Sequence, residues 1–313
     1  MKILITGVAG FIGSNLAEKF LQENRNSEEK YRILGIDNLV CGVREQIPKE
    51  VEFHKLDIRS KEIYPLFKGI DYVFHLAAKN CINDCQNDPL ETANVNVGGT
   101  VNVFEAARKA RVKKIIYAES SAMYEGSNIF PTPESNIKPE SFYAISKLCS
   151  MHFAKAYEEF YGLKFTALRY FCVYGPRQDY RRTIPPVMSA FIMRLLEGKP
   201  PVIYGTGDKR RDFVYVDDVN NFHLLCIKDF RTDGRVFNIG TGKNYSINEI
   251  YAMISEILSI RMPPVFKPDL QGEAVVTLAD IKEAMKLGWK PKIDIREGLN
   301  RMVGWIKQKA PIK

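Results

Sequence analysis

Long apolar runs are missing from this chain: no stretch in its 313 residues approaches the roughly 20 apolar residues that a membrane span needs. The start, Met1-Lys2 followed directly by a short apolar run and glycines, lacks the longer apolar stretch and small-residue cleavage site of a signal peptide, so a cytoplasmic location is expected. Paired cysteines are missing too. Cys41, Cys81, Cys85, Cys149, Cys172 and Cys226 lie scattered through a chain too large to depend on a disulfide scaffold. Cys81 and Cys85, with His75 nearby in sequence, form at most half of the two ligand pairs usual at structural zinc. Reduced thiols and no metal are the expectation. There is no internal repeat and no low-complexity segment. The net charge of +8 is not gathered into a stripe: Lys113-Lys114, Arg181-Arg182 and Lys209 to Arg211 are separate short clusters. That spread argues against nucleic acid and fits solubility or a small anionic substrate.

What is present is the composition of an ordinary globular protein, 45% apolar and 26% charged, with length for one large or two modest domains. KILIT (2–6) is a short apolar run ending in glycines, which reads as a buried parallel strand. RILGID (32–37), VEFHKLD (51–57), DYVFHLAA (71–78), KKIIYAES (113–120) and KFTALRY (164–170) repeat the theme. Helical patterns lie between them: Leu16, Ala17, Phe20 and Leu21 share a face, one long helix is expected across 89–110, and another across 142–161. Phe142, Ile145, Cys149, Phe153 and Tyr157 run down one side of the last. This alternation predicts an α/β protein with a doubly wound parallel sheet over residues 1–170. Beyond 170 prolines punctuate shorter elements, which predicts a smaller α/β lobe over 171–313, with part of 212–240 returning to the sheet through FNIG (237–240).

Gly7, Gly10 and Gly13 follow the first strand and open a helix, the context in which a glycine motif carries information. Glycine permits a tight turn and the close approach of a pyrophosphate, and the helix N-terminus presents free N–H groups to it. A turn that merely lets a helix pack on a strand would show the same residues. Asp37 ends the second strand, where a carboxylate can accept hydrogen bonds from ribose hydroxyls and would repel a 2′-phosphate, so NAD is expected rather than NADP. Asp57 ends the third strand and either faces the adenine or caps a helix.

Tyr143 and Lys147 are four residues apart on an expected helix and share a face. A tyrosine with a pKa near 10 is a poor base at neutral pH. A lysine cation and an oxidised nicotinamide both favour the phenolate, which can then take a proton from a hydroxyl as hydride leaves. Ser120, at the end of the fifth strand, stands where ligands bind in open α/β sheets and can orient the substrate.

With these residues in place the chain resembles the extended short-chain dehydrogenase/reductases, in particular the nucleotide-sugar epimerase/dehydratase branch. The likeness runs through the three glycines, DN (37–38), LDI (56–58), HLAA (75–78), NVGGT (96–100), SSAMY (120–124), YAISK (143–147), YGPRQ (174–178), RDFVYV (211–216) and LGWKP (287–291). It implies a Rossmann domain holding NAD through Gly7, Gly10, Phe11, Ile12, Gly13, Asp37, Asn38, Asp57, Ile58, Leu76, Ala77, Ala78, Asn96, Tyr143 and Lys147. It also implies a C-terminal lobe that grips a nucleotide-diphosphate sugar, with Arg211 on the diphosphate and Tyr204 on the base. Thr277 matches the position that gates the sugar 2-substituent and, being small, implies tolerance of N-acetylhexosamines. A homodimer is implied, with the helices around 89–110 and 142–161 paired into a four-helix bundle.

The resemblance also narrows the reaction. The 4,6-dehydratases carry Asp-Glu after the catalytic serine or threonine, and the decarboxylases keep the Glu; here the positions are Ser121 and Ala122. What remains is an epimerase that oxidises, turns and reduces the sugar through a 4-keto intermediate, on UDP-glucose and UDP-galactose or their N-acetyl forms. A keto-sugar reductase of the same fold is the alternative, and a non-enzymatic NAD-binding module fits Ser120, Tyr143 and Lys147 poorly. Two positions depart from the pattern. Cys172 replaces an asparagine that contacts the substrate phosphate, and Leu270 replaces an arginine for the diphosphate. Arg177, Arg181 and Arg182 either substitute for them or are solvated loop charges.

Overall fold

The structure, a computed structural model, describes residues 1–26, 28, 30–182, 185–269 and 274–309. The first half is strand–helix alternation. β1 (Lys2–Thr6) is followed by α1 (Phe11–Asn26), then by β2 (Arg32–Asp37), β3 (Glu52–Lys55) and β4 (Tyr72–His75). Ile3, Leu4 and Ile5 are inaccessible to solvent on both faces of the sheet, as the unbroken apolar run requires of a central parallel strand. α2 (Ile82–Asn87) and α3 (Pro89–Ala93) are short, α4 (Thr100–Ala110) is longer, and β5 (Lys114–Ser120), α5 (Phe142–Tyr161) and β6 (Lys164–Tyr170) complete the series.

The second half is built from shorter pieces. β7 (Cys172–Tyr174), α6 (Val187–Leu196), β8 (Val202–Tyr204), β9 (Arg210–Arg211) and β10 (Phe213–Tyr215) lead into α7 (Val216–Lys228). After β11 (Arg235–Ile239) come β12 (Tyr245–Ser246), α8 (Ile247–Leu258), β13 (Val265–Lys267), α9 (Lys282–Met285) and α10 (Ile295–Lys309).

The main sheet has seven strands in the order β11-β6-β5-β4-β1-β2-β3, all parallel. The order reverses beside β1, where connections leave in opposite directions and a crevice opens at the carboxyl ends of the strands. β11 joins the edge beside β6, with Phe237 opposite Leu168. Leu16, Ala17, Phe20, Val219, Phe222 and Trp289 cover one face of the sheet. Phe67, Val103, Phe104, Met151, Ala154 and Tyr157 cover the other. A third cluster, around Phe191, Ile192, Ile250, Ile254, Leu299 and Met302, is the core of the smaller lobe. Among the described residues no helix is long and apolar enough to cross a membrane.

The helix expected over 89–110 runs through α3 and α4, with a π-helical turn at Asn94–Gly99 between them. Its sequence, NVNVGG, is poor in helix formers, and tertiary contacts fix the wider turn. A Cβ on Gly99 would lie 2.6 Å from the Ile58 side chain. The side of α5 carrying Phe142, Ile145, Cys149 and Phe153 does not pack on the parent sheet. These four are exposed, and of the row only Tyr157 is buried. The buried face holds Tyr143, Ala144, Ser146, Lys147, Ser150, Met151 and Ala154. The small and polar residues lie inward because they meet the carboxyl end of β5 and the π-helical turn.

Candidate active site

One cleft of about 1490 Å³ runs along the carboxyl ends of the strands and into the smaller lobe. That exceeds the roughly 300–1,000 Å³ of a single small-molecule site and leaves room for a dinucleotide beside a second ligand.

Its floor is the turn after β1. Gly7 has φ +73°, and a Cβ there would come within 2.8 Å of the Ala77 backbone nitrogen, while one on Gly13 would collide with the Gly7 carbonyl. Glycine at both positions is therefore required by the approach of α1 and the β4 loop to the turn. The result is a helix start whose first N–H groups, at Phe11, Ile12 and Gly13, have no partner within their own helix and border the cleft. Asp37 braces the same turn: its carboxylate accepts from the Ala9 N–H at 3.0 Å and the Leu39 N–H at 2.8 Å. Burial pushes the Asp37 carboxyl upward and these two N–H groups oppose it. A carboxylate has about four lone-pair sites, so capacity for ribose hydroxyls remains. Next to it Asn38 donates to Asp57 at 3.0 Å, and Arg59 clamps Asp57 at 2.9 and 2.8 Å. The Arg59 bonds hold the Asp57 carboxyl well below the usual carboxylate range. Ile58, Leu76, Ala77 and Ala78 line the same end.

Asn96 does not reach the cleft. Its carboxamide accepts from the Lys79 N–H at 2.8 Å and donates to the Lys79 carbonyl and the Ser146 hydroxyl, each at 3.0 Å. The residue expected on the cofactor instead pins the loop after β4, and the π-helical turn aims it there. His75, at the end of β4, is buried between Thr6 at 2.7 Å and Thr100 at 2.9 Å. Burial, aided by the charge of Lys147, pushes its pKa down to about 3, so the imidazole is neutral. Cys85 points at the Lys79 carbonyl.

The redox end is formed where α5 crosses β5. Ser141 caps α5 by accepting from the Ala144 N–H at 3.1 Å, and its own hydroxyl donates to Glu125. This fixes the first turn, which carries Tyr143. Tyr143 and Lys147 are both nearly inaccessible and both line the cleft. Burial pushes the Tyr143 phenol up to about 12, against a hydrogen bond from Ser120. The Lys147 ammonium donates to the Ala118 carbonyl at 2.9 Å and lies 5.1 Å over the Tyr117 ring. Burial brings its pKa down to about 8. The lowered tyrosine pKa expected from the sequence is thus not a property of the chain alone. Of the two positive charges that favour the phenolate, one belongs to the cofactor. Ser120 also accepts from the Ala122 N–H at 3.1 Å, opening the short turn Ser121–Tyr124 along the cleft wall.

The smaller lobe supplies the far wall. Tyr204 at the end of β8, Arg211 in β9, Cys172 in β7 and Thr277 all border the cleft. Thr277 is held against β9 because its hydroxyl accepts from the Asp212 N–H at 3.1 Å. Asp212 in turn accepts from the N–H groups of Thr241, Gly242 and Ala279. Arg177 borders the cleft as well. Its guanidinium donates to the Ser14 carbonyl at 2.6 Å and lies 3.5 Å from Glu18, so it rivets the loop after β7 onto α1. Arg181 and Arg182 both meet Asp179, and Arg182 also donates to Asn80 at 3.0 Å. Leu270 lies outside the described residues.

A family model described as the NAD dependent epimerase/dehydratase family matches residues 3–240. The chain belongs to that family. It is 37% identical over 309 residues to a putative UDP-glucose 4-epimerase of Methanocaldococcus jannaschii, covering 97% of this chain and 98% of that protein. Among solved structures it is similar to the UDP-glucose 4-epimerase of Thermotoga maritima with UDP-glucose, at a TM-score of 0.93 and 36% identity, covering 98% of this chain and 99% of the other. It is similar also to a UDP-N-acetylglucosamine 4-epimerase of Methanobrevibacter ruminantium in complex with UDP-N-acetylmuramic acid, at a TM-score of 0.92 and 32% identity, covering 98% of each chain. The cofactor of the family is NAD, and the residues present fit it: a glycine turn closed to any Cβ, an open helix start and an acceptor-only Asp37.

Two residues that the sequence reading passed over also shape this site. Glu119 and Arg169 form a buried ion pair at 2.6 Å directly behind Ser120. The signal was available: KIIYAES has one acid and KFTALRY one arginine, each at a position where a buried strand otherwise runs uncharged.

Proposed function

We propose that this chain is a UDP-hexose 4-epimerase acting on UDP-glucose and UDP-galactose, with the N-acetylhexosamine forms also accepted. The observation that carries the reading is the convergence of Ser120, Tyr143 and Lys147 on one stretch of β5, followed by Ser121 and Ala122 instead of an acid pair. When bound, NAD supplies the acceptor and donor of hydride. Tyr143 takes the proton of the sugar 4-hydroxyl and later returns it, Lys147 holds the phenolate by its charge, and Ser120 shares a hydrogen bond with the reacting oxygen. With Ser121 and Ala122 in the two positions after Ser120, the acid pair that would expel water from the neighbouring carbons is not there. The 4-keto sugar therefore turns its other face before reduction. Glycines 7, 10 and 13, Phe11, Ile12, Asp37, Asn38, Asp57, Ile58 and Leu76 to Ala78 are assigned to the cofactor. Tyr204, Arg211, Cys172, Thr277, Ser121 and Ala122 are assigned to the nucleotide sugar.

A homodimer is part of the proposal. Phe142, Ile145 and Phe153 are each more than two-fifths exposed on one side of α5, a row that pairing with a second copy would cover. The deciding experiment is to incubate the purified protein with UDP-galactose and no added NAD. UDP-glucose formation supports an epimerase that retains its cofactor. NAD bound without turnover points to a different sugar nucleotide or to keto-sugar reduction.

A further inference from the structure

The acid beside the catalytic serine has no role in the reaction described above. Glu119 is buried, and while one oxygen takes the Arg169 guanidinium at 2.6 Å, the other has no hydrogen-bond partner among the described residues. An orphaned carboxylate oxygen is unfavourable, and it asks for a reason. Its placement offers one. The residue before it, Ala118, accepts the hydrogen bond of Lys147, and the residue after it, Ser120, bonds Tyr143. Alternation along β5 puts Glu119 on the same sheet face as Tyr117, whose ring lies 5.1 Å from the Lys147 ammonium. Arg169 sits opposite Glu119 in the register of β6 and is itself fixed by Tyr124 at 2.8 Å and the Glu134 carbonyl at 2.6 Å.

We infer that Glu119, locked by Arg169, is a positioning residue that sets the charge state of the Tyr143–Lys147 pair and with it the pH window of turnover. The inference rests on that pair being the catalytic one. A fixed negative charge at this place favours the ammonium of Lys147 and disfavours the phenolate of Tyr143, and both groups are pushed upward by it. The other groups facing the pair are Cys85 of α2, which acts in the same sense on both, Glu125 facing Tyr143, and His75 of β4, held neutral. Burial pushes the Glu119 carboxyl itself upward, and Arg169 and Lys147 pull it back.

The test is Glu119→Gln in the full-length protein as purified, with two readouts: the pH profile of kcat/KM on UDP-galactose, and the midpoint of Lys147 followed by NMR of isotope-labelled lysine, assigned through K147M. Both limbs of the profile move to lower pH by about one unit, and the Lys147 midpoint falls with them. Glu119→Asp restores both toward wild type. A variant with reduced turnover but unmoved limbs and an unmoved Lys147 midpoint overturns the inference, because a merely structural residue would behave that way. If E119Q does not fold, the paired change E119Q/R169M leaves no buried charge unmatched and replaces it. It moves the Lys147 midpoint in the same direction by less, and an unmoved midpoint there is equally fatal. A shifted lysine midpoint in a protein that turns over no UDP-hexose upholds the electrostatic role while the proposed activity fails.

Discussion

The two sides of the cleft are built by different means. In the first half the recognition groups are largely backbone: the glycine turn after β1, the start of α1, and Asp37 bracing both. Strands of four to seven residues position these groups, and all but the edge strand Glu52–Lys55 have buried interiors. In the smaller lobe the groups bordering the cleft are side chains on strands of two or three residues, Cys172, Tyr204 and Arg211, with Thr277 outside any strand. A site made from backbone leaves a signature in glycines and apolar runs. A site made from side chains on short elements can exchange residues without disturbing the fold, and the proposed function assigns substrate choice to it.

That contrast can be broken in both halves. Gly13→Ala is expected to have the largest effect. The new methyl meets the Gly7 carbonyl, so α1 has to withdraw from the turn. The protein should purify without NAD and lose about 2–3 kcal/mol of stability, read by cofactor release and thermal unfolding. Next comes Tyr143→Phe, with kcat down by about 10³-fold while bound NAD and Tm stay near wild type.

Lys147→Met separates stability from catalysis. Its folded-state pKa is about 8 against an ordinary 10.5, so below pH 8 the folded chain carries a buried ammonium that the unfolded chain solvates more easily. Between pH 8 and 10.5 the unfolded chain binds the extra proton, and stability rises with pH through that window. Removing the ammonium relieves the penalty but leaves the Ala118 carbonyl unmatched. The variant should gain about 1–2 kcal/mol at neutral pH while turnover falls, and chemical denaturation across pH checks both the size and the slope.

In the lobe the effects shrink and become selective. Thr277→Tyr should cut turnover of UDP-N-acetylglucosamine by about tenfold or more and spare UDP-glucose, measured as the ratio of kcat/KM values. Cys172→Asn adds a donor on the cleft wall and should lower KM by about three- to tenfold at unchanged kcat. An equal effect of either change on NAD retention would erase the distinction between the halves.

The same contrast explains what could be read from sequence. The six strands from KILIT to KFTALRY stand where their apolar runs place them; the inner ones are buried on both faces and have no choice of composition, whereas the edge strand Glu52–Lys55 is only partly buried. The pairing of Tyr143 with Lys147 follows from helical spacing alone. The wider turn at Asn94–Gly99 was not legible, since its geometry comes from Ile58 and Lys79, partners distant in sequence. Nor was the direction of α5. Its apolar row lies on one side, but which side faces the sheet follows from packing: the helix turns Ala144, Ser146, Ser150 and Ala154 inward, small enough for close approach to β5 and the π-helical turn. The sequence left Arg177 either as a substrate contact or as a solvated charge, and only the packing of its loop on α1 reveals the bond to Ser14.

The central claim is oxidation and return at one sugar carbon within a single site. UDP-galactose carrying deuterium at C4 tests it directly, with purified protein, no added cofactor and analysis of the UDP-glucose formed. Retention of the deuterium at C4 is the expected result. Product that has lost the label to solvent, or no conversion by a protein that holds NAD, would contradict it.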